Sequence, residues 1–354
     1  MAKHLDLGLD TFGDVMADGE GRPLTHAQVL RNVVEQGVLA DELGVDFFAV
    51  GEHHREDFAV SAPEVVLAAI AARTTRVRLG SAVTVLSSDD PIRVYQRFAT
   101  VDALSNGRAE IILGRGSFTE SFPLFGYDLK DYEELFSQKL DLLAALLRDN
   151  ARPGGQASPE GVSWQGKLRP PLAGQHVYPL PESGTMKTWI GVGGSPESVV
   201  RAASYGLPLM LAIIGGSAAR FKPYVELYHK AAAQLGTTPQ AVGVHSPGYI
   251  ADTDEQAREE FFPAFKANRD RIGAERGWPP MGRDEFEREV THGSLYLGSP
   301  ETVAAKIVRT AQALDLDHFD LKYSAGPLAH DKCLRCIELY GTKVIPLVRE
   351  MLEG

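Results

Sequence analysis

Ala109-Glu110-Ile111-Ile112-Leu113-Gly114-Arg115-Gly116-Ser117 joins an apolar run directly to an arginine flanked by glycines. Residues 109–113 read as a buried strand. At its end, Gly114 and Gly116 let backbone come close to a ligand, and the Arg115 guanidinium can fork onto a phosphate through two parallel hydrogen bonds. An arginine between glycines also suits a surface turn, so the meaning of this stretch depends on the elements around it.

Those elements alternate. Strand patterns precede it at residues 5–9, 45–50 and 77–86, and follow it at 188–192, 209–214, 242–250 and 319–323. Thr25-His26-Ala27-Gln28 has the spacing of a capping box and opens a helix that Gly44 ends. Ser61-Ala62-Pro63-Glu64 repeats the capping logic before a helix at 65–73. Asp90-Pro91 opens the next helix and Ser105-Asn106-Gly107 stops it. Two interruptions break the rhythm. Residues 151–186 are rich in Pro and Gly and read as an excursion holding a small hairpin, with 162–164 as one strand. Residues 252–293 form a charged helical stretch followed by a loop or lid at 276–293.

Eight strands, each followed by a helix, predict an α/β fold: a (β/α)8 TIM barrel with insertions after strands 4 and 7, one domain over residues 1–354. A doubly wound open sheet would need a glycine fingerprint after the first strand, and Leu9-Asp10-Thr11-Phe12-Gly13-Asp14 is not G-x-G-x-x-G. A barrel carries its active site at the C-terminal ends of its strands. That brings Asp10-Thr11-Phe12, Glu52-His53-His54, Ala82-Val83-Thr84-Val85, Arg115-Gly116-Ser117 and Gly193-Gly194-Ser195 to one mouth.

Composition excludes several classes. The chain has 354 residues, 44% of them hydrophobic, enough for a substantial core. Its formal net charge is −11 without any basic run, so the electrostatic footprint of a nucleic-acid binder is missing. No apolar stretch approaches the ~18–20 residues that cross a bilayer, and the N-terminus has no secretory h-region. A cytoplasmic protein is expected. Cys333 and Cys336 form a C-x-x-C inside a helical pattern at 331–344, without a second pair to complete a zinc site, and read as packed thiols.

Gly191-Val192-Gly193-Gly194-Ser195-Pro196-Glu197-Ser198 runs from a strand into a helix, with Ser195 as N-cap and Pro196 at the first helical position. A helix N-terminus after glycines is a ready phosphate site. Gly298-Ser299-Pro300-Glu301-Thr302-Val303 nearly repeats the string, so the string alone signals a cap. The double glycine after a strand favours the first copy as the anion site. In Glu52-His53-His54-Arg55 the adjacent histidines face opposite ways, and at most one points into the mouth. A proton donor or shuttle fits them better than a metal site, because no H-x-H or H-E-x-x-H accompanies them; no metal is expected. A nucleophile elbow and a P-loop are both missing. Phe118, Phe122 and Phe125 read as packing.

Taken together, Gly51-Glu52-His53-His54, Arg78-Leu79-Gly80-Ser81-Ala82-Val83-Thr84-Val85-Leu86, Asn106-Gly107-Arg108, Gly114-Arg115-Gly116-Ser117 with Phe125-Gly126, and Gly193-Gly194-Ser195-Pro196-Glu197-Ser198 before Gly206-Leu207-Pro208 resemble the bacterial luciferase-like flavin-dependent monooxygenases. The resemblance covers nearly the whole chain. It implies a barrel binding reduced FMN at its mouth, with Arg115 and Ser117 at the phosphate end, completed by Gly193, Gly194, Ser195 and Ser198. Ala82-Val83 matches the place where relatives carry a non-proline cis peptide under the flavin ring. His53 matches the histidine relatives use beside the flavin, where it would stabilise or protonate the oxygen adduct or its products. The implied partners are dioxygen, a small organic substrate, a separate flavin reductase and a second copy of the chain. Two departures stand out. Gly114 replaces the cysteine of light-emitting relatives, and Glu133 replaces a second phosphate arginine, so the phosphate leans on backbone N–H groups or the preferred flavin differs. The alternatives are an F420-dependent hydride-transfer enzyme, a non-catalytic flavin-binding protein, and a barrel hydrolase or isomerase whose Arg115 binds a substrate phosphate.

Overall fold

A computed structural model of the chain describes residues 3–116, 118–150 and 156–353. Its strands are β1 (Asp6–Thr11), β2 (Phe47–Val50), β3 (Arg78–Ser81), β4 (Thr84–Val85), β5 (Ala109–Gly114), β6 (Val162–Trp164), β7 (Leu172–Gln175), β8 (Lys187–Val192), β9 (Leu209–Ala212), β10 (Val242–Ile250), β11 (Tyr296–Gly298) and β12 (His318–Lys322). β6 and β7 form an antiparallel hairpin in the expected excursion. Parallel pairing runs from β1 through β2, β3, β5, β8, β9 and β10 to β12, which returns to β1. The sheet closes into the predicted eight-stave barrel.

Around it lie α1 (His26–Glu42), α2 (Pro63–Ala71), α3 (Pro91–Leu104), α4 (Ser121–Phe125), α5 (Tyr132–Asn150), α6 (Pro196–Tyr205), α7 (Lys222–Leu235), α8 (Asp254–Arg276), α9 (Arg283–Thr291), α10 (Pro300–Leu314), α11 (His330–Leu339) and α12 (Ile345–Glu353). The caps explain most starts. Thr25 Oγ1 accepts from the Gln28 N–H at 3.2 Å, and the Asp90 carboxylate accepts from Ile92 and Arg93. Ser61 does not cap. Ala62 occupies the N-cap position of α2 without a side-chain bond, and Pro63, with its φ already helical, begins the helix.

Two further expectations change, and one strand is added. The strand read at 77–86 is broken between β3 and β4 at Ala82–Val83, whose peptide is cis. The loop expected at 276–293 contains α9, whose buried Phe286 and Val290 lie one turn apart in an otherwise charged segment that hides the helical period. β11 lies outside the ring: β10 runs past the barrel rim, and Gly248–Ile250 need a partner for their backbone groups there.

Alternation divides the core. On β2, Phe48 and Val50 pack outward under the helices, whereas Phe47 and Ala49 fill the barrel with Ile112, Trp189 and Met210. Polar side chains share that interior. Trp189 Nε1 donates to Glu110 Oε2 at 2.8 Å, and His318 Nε2 lies 2.7 Å from Asp320 Oδ1. Among the described residues, no helix is long and apolar enough to cross a membrane.

Candidate active site

The C-terminal ends of the staves meet as the barrel requires. β1 delivers Phe12 and β2 delivers Glu52, His53 and His54. The Phe12 ring meets the His53 ring edge-on at 5.3 Å and stacks on His245 at 5.9 Å. His53 also contacts Phe58 at 4.4 Å and Phe118 at 4.6 Å, while His54 turns to Phe125 at 5.0 Å. The two histidines therefore diverge, and His53 is the one walled by Phe12.

Carboxylates orient both histidines that flank Phe12. His53 Nδ1 lies 3.2 Å from Glu120 Oε1, and the His54 backbone N–H donates to the same oxygen at 3.4 Å. Burial opposes ionisation of Glu120, but these hydrogen bonds outweigh it and hold the carboxyl below its ordinary range. Across Phe12, His245 Nδ1 lies 2.7 Å from Oδ2 of the fully buried Asp10. Burial disfavours the imidazolium of His245, but the charge and hydrogen bond of Asp10 prevail and raise its pKa. With Nδ1 engaged, Nε2 is the free nitrogen of each ring. Glu52 behaves differently. Its Oε1 accepts from the Val85 N–H at 2.8 Å, and burial pushes its carboxyl up to about 8, so it is mostly protonated at neutral pH.

Ala82 and Val83 join the histidine side of the mouth to the arginine side. A Cβ at Gly51 would collide with the Ala82 carbonyl and with Phe12, one at Gly114 would collide with Val83, and one at Gly191 would lie 3.2 Å from Val83 Cγ1. Gly114 therefore accompanies a packed Val83 and leaves no room for a cysteine.

On the arginine side, Ser195 caps α6 by accepting from the Ser198 N–H at 3.4 Å. A Cβ at Gly193 would meet nothing within 4 Å, and one at Gly194 only the Tyr224 hydroxyl at 3.8 Å. Arg115 pairs with Glu133, whose other oxygen lies 3.5 Å from Arg201 Nη2. Arg201 Nη1 is buried without a hydrogen-bond partner among the described residues. Ser117, expected beside Arg115, lies outside the described residues.

The end of α8 covers the mouth. Arg55 donates to both Glu275 oxygens, at 2.8 and 2.5 Å, and Arg271 donates to Glu56 at 2.7 Å. The guanidiniums of Arg55 and Arg276 lie over the Phe118 ring at 5.1 and 4.9 Å. The lid read at 276–293 is thus centred slightly earlier in the chain. Elsewhere, a depression of about 540 Å³ between α1 and α2 is lined by Leu30, Val34, Val65 and Ala69 among others, with neither a histidine nor a buried pair of titratable groups. At the opposite end of the barrel His4, Asp6 and Asp46 converge, but Arg78 and Arg349 already engage the two carboxylates.

The luciferase-like monooxygenase family matches residues 12–317. The chain belongs to that family. The chain is 24% identical over 356 residues to the uncharacterised protein y4vJ of Sinorhizobium fredii, covering 96% of this chain and 97% of that one. It is 25% identical to the alkanal monooxygenase alpha chain of Photorhabdus luminescens, covering 70% and 65% respectively. Among solved structures, monooxygenase RslO1 from Streptomyces bottropensis superposes with a TM-score of 0.82 at 22% identity, over 97% of this chain and 99% of that one. The oxygenating constituent of 3,6-diketocamphane monooxygenase of Pseudomonas putida, in complex with FMN, gives 0.73 at 19% identity over 98% of each chain. An F420-dependent secondary alcohol dehydrogenase gives 0.74 at 17% identity, over 99% and 100%. The relatives with named activities are monooxygenases and oxidoreductases, and this chain is an enzyme of that kind.

Sequence reading of the chain placed Asp10 at the mouth but missed its partner His245, together with Glu120 and Glu275. His245 carried a usable signal: it is an imidazole inside the largely apolar β10, where alternation turns every second side chain into the barrel. Glu120 and Glu275 sit in segments whose approach to the mouth is set by long-range packing.

Proposed function

We propose that the chain is an FMN-dependent, two-component monooxygenase that uses reduced flavin and dioxygen on a small organic substrate. The observation that carries this reading is one continuous mouth. It has a glycine-lined helix N-terminus at Gly193-Gly194-Ser195 with Arg115 and Arg201 beside it, and the carboxylate-held His53 and His245 on the far side of Ala82–Val83. Those donors suit a phosphate at one end, and the unpartnered Arg201 Nη1 adds a donor there. Arg115, Arg201, Ser195 and Ser198 would hold the phosphate, with Ala82 and Val83 against the ring. Bound reduced flavin would supply the electrons for activating dioxygen.

The chain's own residues do the rest. His53, fixed through Nδ1 by Glu120, offers Nε2 to hold or move a proton at the reacting centre. His245 provides a second such nitrogen across Phe12. Phe118, clamped beneath Arg55 and Arg276, and the α8 end keep water out. A cytoplasmic homodimer fed by a separate reductase completes the proposal.

A second reading takes the pairing of Glu133 with Arg115 as the mark of a different preferred cofactor, F420 in hydride transfer. Titration of the protein with FMN and F420 in both redox states separates the two. Tighter binding of reduced FMN, with oxygen-consuming turnover, is expected. Preference for F420 with oxygen-independent turnover would replace the monooxygenase assignment. His53→Ala should lower turnover by about 10²–10⁴-fold while leaving flavin affinity unchanged; unchanged turnover would remove His53 from the chemistry.

A further inference from the structure

The anion end of the mouth is not simply cationic. Arg115 bonds Glu133, Glu133 reaches Arg201 at 3.5 Å, and Ser195 Oγ donates to Glu197 Oε2 at 2.7 Å. Glu197 lies four residues before Arg201 on α6, so Arg115, Glu133, Arg201 and Glu197 gather at one end of that helix, and the Ser195 hydrogen bond holds the Glu197 carboxyl below its ordinary range. Two arginines against two glutamates leave the cluster formally neutral. A phosphate monoester carries close to two negative charges at neutral pH.

The two glutamates are not equivalent. Glu197 bonds within its own helix and lies beside the cap. Glu133 takes Nη1 of Arg115 through one carboxylate oxygen, a nitrogen that an arriving anion would use, and its other oxygen bridges to the second guanidinium. Its side chain is 59% exposed, so it can swing into solvent without unpacking the core. An ion pair that exposed is worth little by itself, and an arriving phosphate can displace it.

We propose that Glu133 is an internal competitor for the cofactor phosphate, a carboxylate that occupies the arginine clamp between binding events and must leave for a phosphorylated flavin to be held. Three consequences follow. The site gains less from the phosphate than two unopposed arginines would give. Charge screening barely alters binding, because the clamp is neutral before the ligand arrives. Flavin exchanges readily, which suits a cofactor delivered by another protein at each turnover. The inference rests on the FMN reading and adds to it the residue that sets how strongly phosphate counts.

The test is a binding titration of the full chain and its Glu133→Gln variant with FMN and with riboflavin, at low and high ionic strength. Glutamine keeps the size of the side chain and removes its charge. FMN affinity should rise about fivefold or more in the variant, riboflavin affinity should stay within about twofold, and FMN binding should become more salt-sensitive. Unchanged or weaker FMN binding in the variant, with riboflavin still bound normally, would overturn the proposal and make Glu133 a support for Arg115. An equal gain for both ligands would overturn it too, since the effect would not act through the phosphate. Failure of wild type and variant to bind either ligand would instead remove the flavin reading, and the competitor with it. Glu133→Ala, compared with Glu133→Gln by circular dichroism and in the same titration, separates loss of charge from loss of packing.

Discussion

Gly194-Ser195-Pro196-Glu197-Ser198-Val199 and Gly298-Ser299-Pro300-Glu301-Thr302-Val303 begin two helices with nearly the same letters and end in different situations. Both serines cap alike: Ser195 Oγ accepts from the Ser198 N–H at 3.4 Å, and Ser299 Oγ from the Thr302 N–H at 3.3 Å. Both preceding glycines have positive φ, +125° and +150°. At the second copy the chain supplies its own anion. Asp254, the first residue of α8, accepts from the Ser299 N–H at 2.7 Å and from Thr302 Oγ1 at 3.0 Å. A Cβ at Gly298 would collide with that carboxylate, and Pro300 is buried. At the first copy Gly193 is exposed, and the nearby carboxylates are side chains shared with two arginines. The caps are equal, then; what differs is whether the anion is built in or can be exchanged. A local string specifies a helix start, and its surroundings specify whether that start serves structure or ligand.

Removing each anion partner should break the pair apart in opposite ways. Arg115→Ala should weaken FMN about 30-fold, equivalent to about 2 kcal/mol for a charge-assisted contact, and leave riboflavin within about twofold. Equal losses for both ligands would move the phosphate away from Arg115. Asp254→Ala should leave flavin affinity untouched and lower unfolding free energy by about 1–2 kcal/mol, measured by urea denaturation, because two donors at the start of α10 lose their acceptor. A flavin defect in that variant would mean the two helix starts are coupled. The finest comparison is Ser195→Ala against Ser299→Ala. Each should cost about 1 kcal/mol or less in stability, and only the first should also weaken FMN, by a few-fold.

Much of this was legible in the sequence. The eight barrel strands fall within a few residues of their expected places, because buried parallel strands are short apolar runs between capped helices. Asp90, Ser195 and Ser299 cap as their local strings require. The mouth was legible as a set of strand ends, and His53 separates from His54 by simple alternation. What stayed hidden depends on distance along the chain. Glu120 reaches His53 across 67 positions and Glu275 reaches Arg55 across 220. The family resemblance marked Glu133 as a departure, but its bridging of Arg115 and Arg201 follows from how α5 packs beside α6. α9 was lost because surface charge dominates its composition, and β11 because a strand of three residues has no period to read.

Cys333 and Cys336 lie on α11 with no exposed surface. Burial pushes both thiols well above the ordinary cysteine range, that of Cys336 to about 12. In the native chain neither sulfur presents a thiolate to a reagent, so an alkylating probe can label them only when α11 lifts from the barrel. The labelling rate then reports the free energy of that opening, with no engineered reporter group. A protein proposed to handle activated oxygen thus stores its only two thiols behind a structural door, and that door can be timed.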